Sequence, residues 1–242
     1  MATTMCAAQF IQRLEAYRSP EHAQAYLRYF KTGAGEYGAG DEFMGVGMGQ
    51  IFALAKEFIA MPLHDIEHLL ESPVHEVRVG AVSIMDWQAR RKQTPPSKRK
   101  ALFDLYLRRH DRINNWDLVD RAAPFVVGGY LFDKPRDILY QLARSPNMWE
   151  RRTAIVSTDY FIRQGDVADT FAIAELLIND DQDLIHKAVG GWLRAAGKQD
   201  RQPLLHFLDT YAATMQRVAL RYAIEHLKKE QREYYLSQKK LR

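Results

Sequence analysis

The segment VRVGAVSIM (77–85) places four apolar residues, Val77, Ala81, Ile84 and Met85, at positions i, i+4, i+7 and i+8. This spacing is typical of an α-helix with one buried face. Four later segments repeat the arrangement, with a basic or polar residue followed two positions on by a small residue: DLVDRAAPF (117–125), RRTAIVST (151–158), IHKAVGGWL (185–193) and QRVALRYAI (216–224).

The five segments align on their alanines, Ala81, Ala122, Ala154, Ala188 and Ala219, and recur after 41, 32, 34 and 31 residues. This period is typical of HEAT-like or armadillo-like helix pairs, in which a small residue lets neighbouring inner helices approach closely. No segment combines strict alternation of apolar and polar residues with enrichment in β-branched residues, so we predict no sheet. The sequence predicts an all-α solenoid of HEAT-like helical-hairpin repeats. A long helical bundle with an accidental period is the alternative.

We predict a single domain over residues 1–242. It would contain N-terminal helices with a glycine-rich loop (1–70), the repeats (71–227) and a charged C-terminal end (228–242). Three serine–proline pairs are expected to begin helices, because a serine hydroxyl caps a helix and proline is tolerated in its first turn. They are Ser19-Pro20, Ser72-Pro73 and Ser145-Pro146.

The composition is ordinary for a folded protein, with 47% hydrophobic and 26% charged residues, a net charge of +4 and a pI of about 9.1. The single cysteine, Cys6, excludes an internal disulfide, and no Cys/His cluster has the spacing of a metal site. No leader peptide or membrane span is recognisable. We expect a cytoplasmic, soluble monomer that needs no metal.

The residues two positions before the aligned alanines should form a row along the inner helices, which in a solenoid lie roughly 10 Å apart. Apart from Val79, they are Asp120, Arg152, His186 and Arg217, with Arg121, Lys187 and Arg221 nearby. A concave groove lined with basic residues suits a nucleic-acid backbone. An acidic peptide is the alternative ligand.

Asp120 is the acid in this basic row, and Trp116 lies one helical turn before it. Asn114 and Asn115 precede the pair and are expected to cap the helix. A carboxylate beside an indole face favours positive charge, because the ring quadrupole and the carboxylate both attract a cation. The alternative is structural: Asp120 would pair with Arg152, and Trp116 would be a core residue.

The segments NNWDLVDRAAPFVVGGYL (114–131), NMWERRTAIVSTDYFIR (147–163) and DLIHKAVGGWLR (183–194) resemble the AlkD-like DNA alkylation repair glycosylase family. The likeness includes RYFKTG (28–33) and covers most of the chain. It implies a HEAT-like fold and a monofunctional glycosylase. The implied substrates are cationic N3- and N7-alkylpurines in double-stranded DNA, excised without base flipping and without a cofactor.

The resemblance also implies roles for single residues. Trp116 corresponds to the tryptophan that packs against the deoxyribose of the lesion, and Asp120 to the catalytic aspartate that stabilises the oxocarbenium and positions water. Arg152 corresponds to an arginine that contacts the backbone near the lesion, and Tyr29 to a tyrosine close to DNA. The remaining candidates for DNA binding are Arg121, His186, Lys187, Trp192 and Arg217.

The sequence departs from the family at two places. The family's second groove tryptophan corresponds to Gly191, whereas Trp192 lies about 100° further around the helix. The segment GVGMGQI (45–51) lacks an arginine and a proline of the family pattern. These departures keep open a second hypothesis, a noncatalytic DNA-binding scaffold, and a third, a peptide-binding scaffold.

Overall fold

The computed structural model describes residues 5–238, which are mainly helical. Within that range the β pairing is limited to an isolated bridge between Glu42 and Val74. The all-α prediction is confirmed. None of the helices in the described range is long and apolar enough to cross a membrane.

The chain divides into two compact units, Met1–Tyr130 and Leu131–Arg242. The sequence predicted one domain with internal boundaries after residues 70 and 227, and neither boundary coincides with this division. The predicted charged end includes a helix, Lys229–Ser237. Residues 1–4 and 239–242 of the predicted segments lie outside the described residues.

The first unit contains helices α1 (Ala7–Glu15), α2 (Pro20–Tyr29), α3 (Met48–Glu57), α4 (Leu63–Leu70), α5 (His75–Arg90), α6 (Pro96–Arg108) and α7 (Trp116–Ala122). Helices α3, α5 and α7 lie side by side, and α4 and α6 pack against α5. Fourteen of the sixteen residues of α5 are buried. A helix buried on nearly all sides must satisfy its polar side chains inside the protein.

The helix that begins with α7 widens after Ala122. Residues Ala123–Gly128 form a π-helical turn, and the helix continues as α8 (Gly129–Leu131). Pro124 accounts for the widening, because it has no N–H to donate to the Asp120 carbonyl four residues earlier and its ring crowds that carbonyl. The irregular turn therefore follows directly after Asp120, and π turns are frequent at functional sites.

The second unit contains α9 (Asp137–Leu142), α10 (Met148–Arg163), α11 (Ala168–Leu177), α12 (Asp183–Gln199), α13 (Arg201–Tyr211), α14 (Arg217–Ala223) and α15 (Lys229–Ser237). Helices α10, α12 and α14 lie side by side, and α11 and α13 pack against them. A Cβ atom added at Gly190 would lie 2.5 Å from the Ala219 carbonyl oxygen. The close contact of α12 with α14 therefore requires a glycine.

Three helices, α5, α10 and α12, share one contact near their first turn. A side chain bonds to the backbone carbonyl six residues earlier, where the preceding helix has ended. The pairs are Arg78 with Ser72 at 3.0 Å, Arg151 with Ser145 at 3.0 Å, and His186 with Asp180 at 2.5 Å. This repetition supports the repeat architecture within each unit.

The serine–proline pairs begin a helix in one case of three. Ser19 caps α2, accepting the His22 N–H at 3.4 Å. The prediction was wrong for Ser72 and Ser145, because α5 and α10 begin three residues after these serines. Each hydroxyl instead accepts the backbone N–H two residues further on and forms a turn before the helix.

Candidate active site

The start of α7 carries Trp116 and Asp120 one helical turn apart, and both side chains are partly exposed. The predicted cap forms at Asn115, whose side-chain oxygen accepts the Trp116 backbone N–H at 2.8 Å. Asp117 Oδ1 accepts the Leu118 N–H at 2.9 Å. These bonds satisfy N–H groups that a helix start leaves without partners, and they fix the first turn.

Trp116 lies among aromatic side chains from α2 and the loop that follows it. Its ring stacks on Phe30, with centroids 5.8 Å apart and planes at 20°. Tyr29 meets it edge-on at 6.0 Å and is 63% exposed. The indole N–H bonds to the Tyr37 hydroxyl, and burial raises the pKa of Tyr37. The structure thus brings Tyr29 and Trp116 together and holds the indole in one orientation.

The aromatic packing continues below Phe30, which is itself buried. Phe43 stacks on Phe30 at 5.2 Å with planes at 19°. The His75 ring contacts both, at 4.7 Å from Phe30 and 5.2 Å from Phe43. Trp116 therefore rests on a stack of rings that ends at a buried histidine.

His75 is fully buried and lies between two carboxylates. Its Nε2 is 2.7 Å from Asp117 Oδ2, and its Nδ1 is 3.3 Å from Asp41 Oδ2. Arg78 Nη2 is 2.6 Å from the other Asp41 oxygen. Two acids and two bases balance when the imidazole is protonated, so the cluster carries no net charge.

The same contacts shift two pKa values in opposite directions. Burial alone would lower the pKa of His75, but Asp117 and Asp41 outweigh it and raise the pKa to about 9. Burial would raise the pKa of Asp41, but His75 and Arg78 hold it below its usual value. At neutral pH His75 is an imidazolium that ties the start of α7 to the start of α5.

The loop before α3 is held by Glu76, which is fully buried. Its carboxylate accepts three consecutive backbone N–H groups, from Met44 at 3.1 Å, Gly45 at 2.7 Å and Val46 at 3.3 Å. Gly45 has φ +79°, and a Cβ there would lie 2.0 Å from the Ser19 carbonyl oxygen. The beginning of the divergent GVGMGQI segment is thus a tightly packed anchor around a buried acid.

Arg121, predicted to bind DNA, packs inside the first unit. Its Nη1 is 2.5 Å from the carboxylate of fully buried Asp86, and its Nε donates to the Ser83 hydroxyl at 3.1 Å. Its guanidinium also lies 4.6 Å from the Phe52 ring centroid. These contacts engage Nε and Nη1 of Arg121 inside the unit, and its role in DNA binding stays a prediction.

In the second unit, the predicted Arg152 and His186 are both 7% exposed. Arg152 Nη1 donates to the Leu184 carbonyl at 2.8 Å, at the start of α12. His186 Nε2 lies 2.5 Å from the Asp180 carbonyl, as described above. Both side chains therefore help to join α10, α12 and the turn before α12.

The other predicted residues of this unit are more accessible. Lys187 is exposed and pairs with Asp183 at 2.6 Å, and Arg217 is exposed with Nη2 2.7 Å from the Leu236 carbonyl. Trp192 is half-buried. A Cβ added at Gly191 would meet no atom within 4 Å. The position that matches the family's second tryptophan therefore faces open space.

The cluster of His75, Asp117, Asp41 and Arg78 was not predicted from the sequence. A signal was present for Asp117, which lies in the same WDLVD motif as Asp120. Asp41 lies in a loop 34 residues before His75, and sequence spacing alone does not bring them together. Within residues 5–238 no three His, Cys, Asp or Glu side chains converge as ligands for a metal ion.

The comparisons with known proteins agree with this fold. A predicted DNA alkylation repair enzyme from Enterococcus faecalis has a TM-score of 0.67 and 18% identity, over 88% of this chain and 97% of that one. AlkD2 from Streptococcus mutans has a TM-score of 0.54 and 18% identity, over 91% and 98% of the two chains. No curated protein matches the chain. The family described as DNA alkylation repair enzyme matches residues 10–227. This chain therefore belongs to the DNA alkylation repair enzyme family.

Proposed function

We propose that this protein is a monofunctional DNA glycosylase that hydrolyses the N-glycosidic bond of cationic N3- and N7-alkylpurines in double-stranded DNA. We further propose that it acts as a cytoplasmic monomer and does not flip the base. The observation that carries the proposal is the pair Trp116 and Asp120, partly exposed and one turn apart on a helix with a fixed start. Membership of the family supports the same activity.

The chemistry needs stabilisation of one developing charge. As the glycosidic bond breaks, the bonding electrons neutralise the cationic base, and positive charge develops on the deoxyribose. The Asp120 carboxylate would stabilise this oxocarbenium directly, and the face of Trp116 would add a weaker attraction. Water then attacks C1′ and loses a proton, leaving an abasic site and a neutral alkylpurine. An unalkylated base carries no positive charge and would have to leave as an anion. It is therefore a poor leaving group, which limits the reaction to alkylated purines.

The surroundings of Trp116 suit this role, because stabilisation in the transition state depends on groups that are already in place. Phe30 and Tyr37 hold the indole, and the imidazolium of His75 fixes the start of α7 through Asp117. Tyr29, exposed beside Trp116, is a proposed DNA contact. Arg152, His186, Lys187, Trp192 and Arg217 are proposed as contacts of the second unit with the DNA backbone.

The test is release of 7-methylguanine and 3-methyladenine from methylated duplex DNA under single-turnover conditions. We expect Asp120→Asn to lower the rate by at least about 100-fold, as does removal of one stabilising group in other active sites. Asp111→Asn is the matched control, since Asp111 is an exposed acid of the same unit that pairs with Arg109. Wild-type protein that releases neither base would refute the proposal.

A noncatalytic DNA-binding protein is the second candidate, and the open space at Gly191 favours it. Without an indole at this position, the second unit would contact DNA with one aromatic ring fewer. This hypothesis predicts salt-sensitive binding to duplex DNA without base release. Gly191→Trp tests this position, because an indole supplied there should strengthen binding to methylated duplex, whereas base release by the wild type separates the two candidates.

A further inference from the structure

The turn between α5 and α6 concentrates the positive charge of the chain. Residues 86–104 contain six basic and two acidic side chains, a net charge of +4. The whole chain also has a net charge of +4, so the basic and acidic residues outside this segment balance. A local excess of this kind attracts a polyanion far more strongly than the same charge spread over the surface.

Three of the six cations are engaged within the protein. Arg90 pairs with Asp86 at 2.7 Å, and Lys100 pairs with Asp104 at 2.6 Å. The guanidinium of Arg99 donates to backbone carbonyls at the end of α5, including that of Arg91 at 2.9 Å. Both acids of the segment, Asp86 and Asp104, are therefore already paired within the protein.

The other three cations are Arg91, Lys92 and Lys98. Within the described part of the chain, none of them takes part in an ion pair. Arg91 and Lys92 are exposed, and Lys98 is half-buried. Burial lowers the pKa of Lys98, and no carboxylate contributes to raise it. These cations are available to an external anion.

The turn that carries them is rigid. The Thr94 hydroxyl donates to the Gln88 carbonyl at 2.6 Å, and the Thr94 N–H donates to the Arg91 carbonyl at 3.0 Å. The Gln88 side chain donates in turn to the Ile59 carbonyl at 2.9 Å and the Met61 carbonyl at 2.7 Å. A preorganised turn loses little entropy when it binds a partner.

A cavity of about 320 Å³ opens beside the turn, and Arg91, Gln93, Thr94 and Lys98 are among its lining residues. Two cations and two polar side chains around a shallow cavity suit a phosphate group, which accepts several hydrogen bonds. A single phosphodiester is smaller than this cavity. The cavity is therefore large enough to take a backbone phosphate.

We propose that the α5–α6 turn is a second DNA-binding surface, at which Arg91, Lys92 and Lys98 hold backbone phosphates at a distance from Trp116 and Asp120. The choice of DNA as the polyanion rests on the proposed function. The sixteen residues of α5 separate this turn from His75 by about 24 Å. A duplex that runs parallel to α5, with the lesion beside Trp116 at the level of His75, needs about seven base pairs beyond the lesion to reach the turn.

The test measures affinity for undamaged duplex DNA as a function of salt concentration, for the wild type and for Arg91→Gln/Lys92→Gln/Lys98→Gln. If three phosphates are bound, the triple variant should lower the slope of log K against log salt by about 2.7. Equivalently, raising salt from about 50 to 200 mM should weaken the wild type about 40-fold more than the variant. Circular dichroism and the melting temperature confirm that the variant is folded.

Arg13→Gln/Arg18→Gln/Arg108→Gln is the matched control. It removes three positive charges from the same unit, but each of these exposed arginines already pairs with a glutamate. We expect its slope to fall by less than about one. Equal changes in the two triple variants, or an unchanged slope in Arg91→Gln/Lys92→Gln/Lys98→Gln, would overturn the proposal.

Duplex length provides a second test of this surface. On a duplex with only about four base pairs on either side of the lesion, the wild type and the turn variant should bind equally. Lengthening the flanks to about twelve base pairs should strengthen binding by the wild type alone. Base release from methylated DNA is scored separately. Binding with this pattern but without release refutes the glycosylase proposal and leaves the second surface intact.

Discussion

The buried imidazolium of His75 leads to a prediction about pH and stability. A neutral imidazole has one N–H donor and one lone pair, so it would turn a lone pair toward one of the two carboxylates. The contacts at 2.7 and 3.3 Å would then include a repulsive one. The protonated ring presents an N–H at both nitrogens and avoids this repulsion. The folded protein should therefore keep the proton on His75 at pH values well above 6.5, the pKa of an ordinary histidine.

The size of the effect follows from the two pKa values. The pKa is about 9 in the folded chain, against 6.5 for an ordinary histidine. This difference corresponds to roughly 3 kcal/mol of stability from the proton. Because the folded pKa is the higher one, the contribution is complete below pH 6.5 and is lost as pH rises toward 9. In that window stability should fall by at most about 1.4 kcal/mol per pH unit.

The direct assay is an NMR titration of the imidazole signals, in which the His75 signal is identified by its absence in His75→Gln. The thermodynamic assay compares the free energy of unfolding of the wild type and His75→Gln between pH 6 and 10. The difference between the two proteins should shrink by roughly 3 kcal/mol across that range, because the wild type loses its imidazolium and the variant has none.

Two further variants compare how strongly Asp117 and Asp41 each raise the pKa of His75. Asp117→Asn should lower the pKa of His75 more than Asp41→Asn, since the Asp117 contact is the shorter one. A His75 pKa near or below 7 in the wild type would contradict this reasoning. So would a stability difference between the wild type and His75→Gln that does not change with pH.

Two other predictions concern packing and the loop anchor. Gly190→Ala should destabilise the protein by about 1–3 kcal/mol, because its Cβ would lie 2.5 Å from the Ala219 carbonyl oxygen. Gly191→Ala, which meets no atom within 4 Å, should instead stabilise it by up to about 1 kcal/mol in the same denaturation assay. Glu76→Gln should cost about 2–4 kcal/mol, since an uncharged amide cannot accept the N–H groups of Met44, Gly45 and Val46 equally well. Faster hydrogen exchange at those three amides is the specific readout, and unchanged exchange would contradict it.

The repeats were predictable because their signal is periodic. Apolar stripes and small residues recur at each inner helix, and contacts such as Gly190 with Ala219 depend on them. The division after Tyr130 was not predictable, because the helical pattern continues across it. Pro124 is a visible cause of the π turn. A proline can also end a helix, however, and that this helix continues after the turn depends on packing.

The candidate site was predictable in part. Trp116 and Asp120 are one turn apart in the sequence, so their shared face follows from helix geometry. The contact of Tyr29 with Trp116 was not predicted, since 87 residues separate them and the resemblance placed Tyr29 only near DNA. Arg121 shows the limit of arguments from charge, because a basic residue next to Asp120 pairs with a buried acid instead. The partner of such a basic residue depends on its burial, which here follows from the packing of α3, α5 and α7.

In the proposed glycosylase, the charges of the first unit are arranged for two separate tasks. A cation near Asp120 would oppose the stabilisation of an oxocarbenium, because its field would cancel part of the carboxylate's attraction. Three cations of the first unit each pair with an acid of that unit: His75 with Asp117, Arg78 with Asp41, and Arg121 with Asp86. The available cations of the α5–α6 turn lie about 24 Å along α5 from His75, which contacts Asp117 beside Trp116, and this span exceeds the Debye length of about 8 Å at physiological salt. Attraction to DNA and stabilisation of the transition state would thus use different residues, so neutralising the turn should weaken affinity for DNA more than it changes the single-turnover rate of base release.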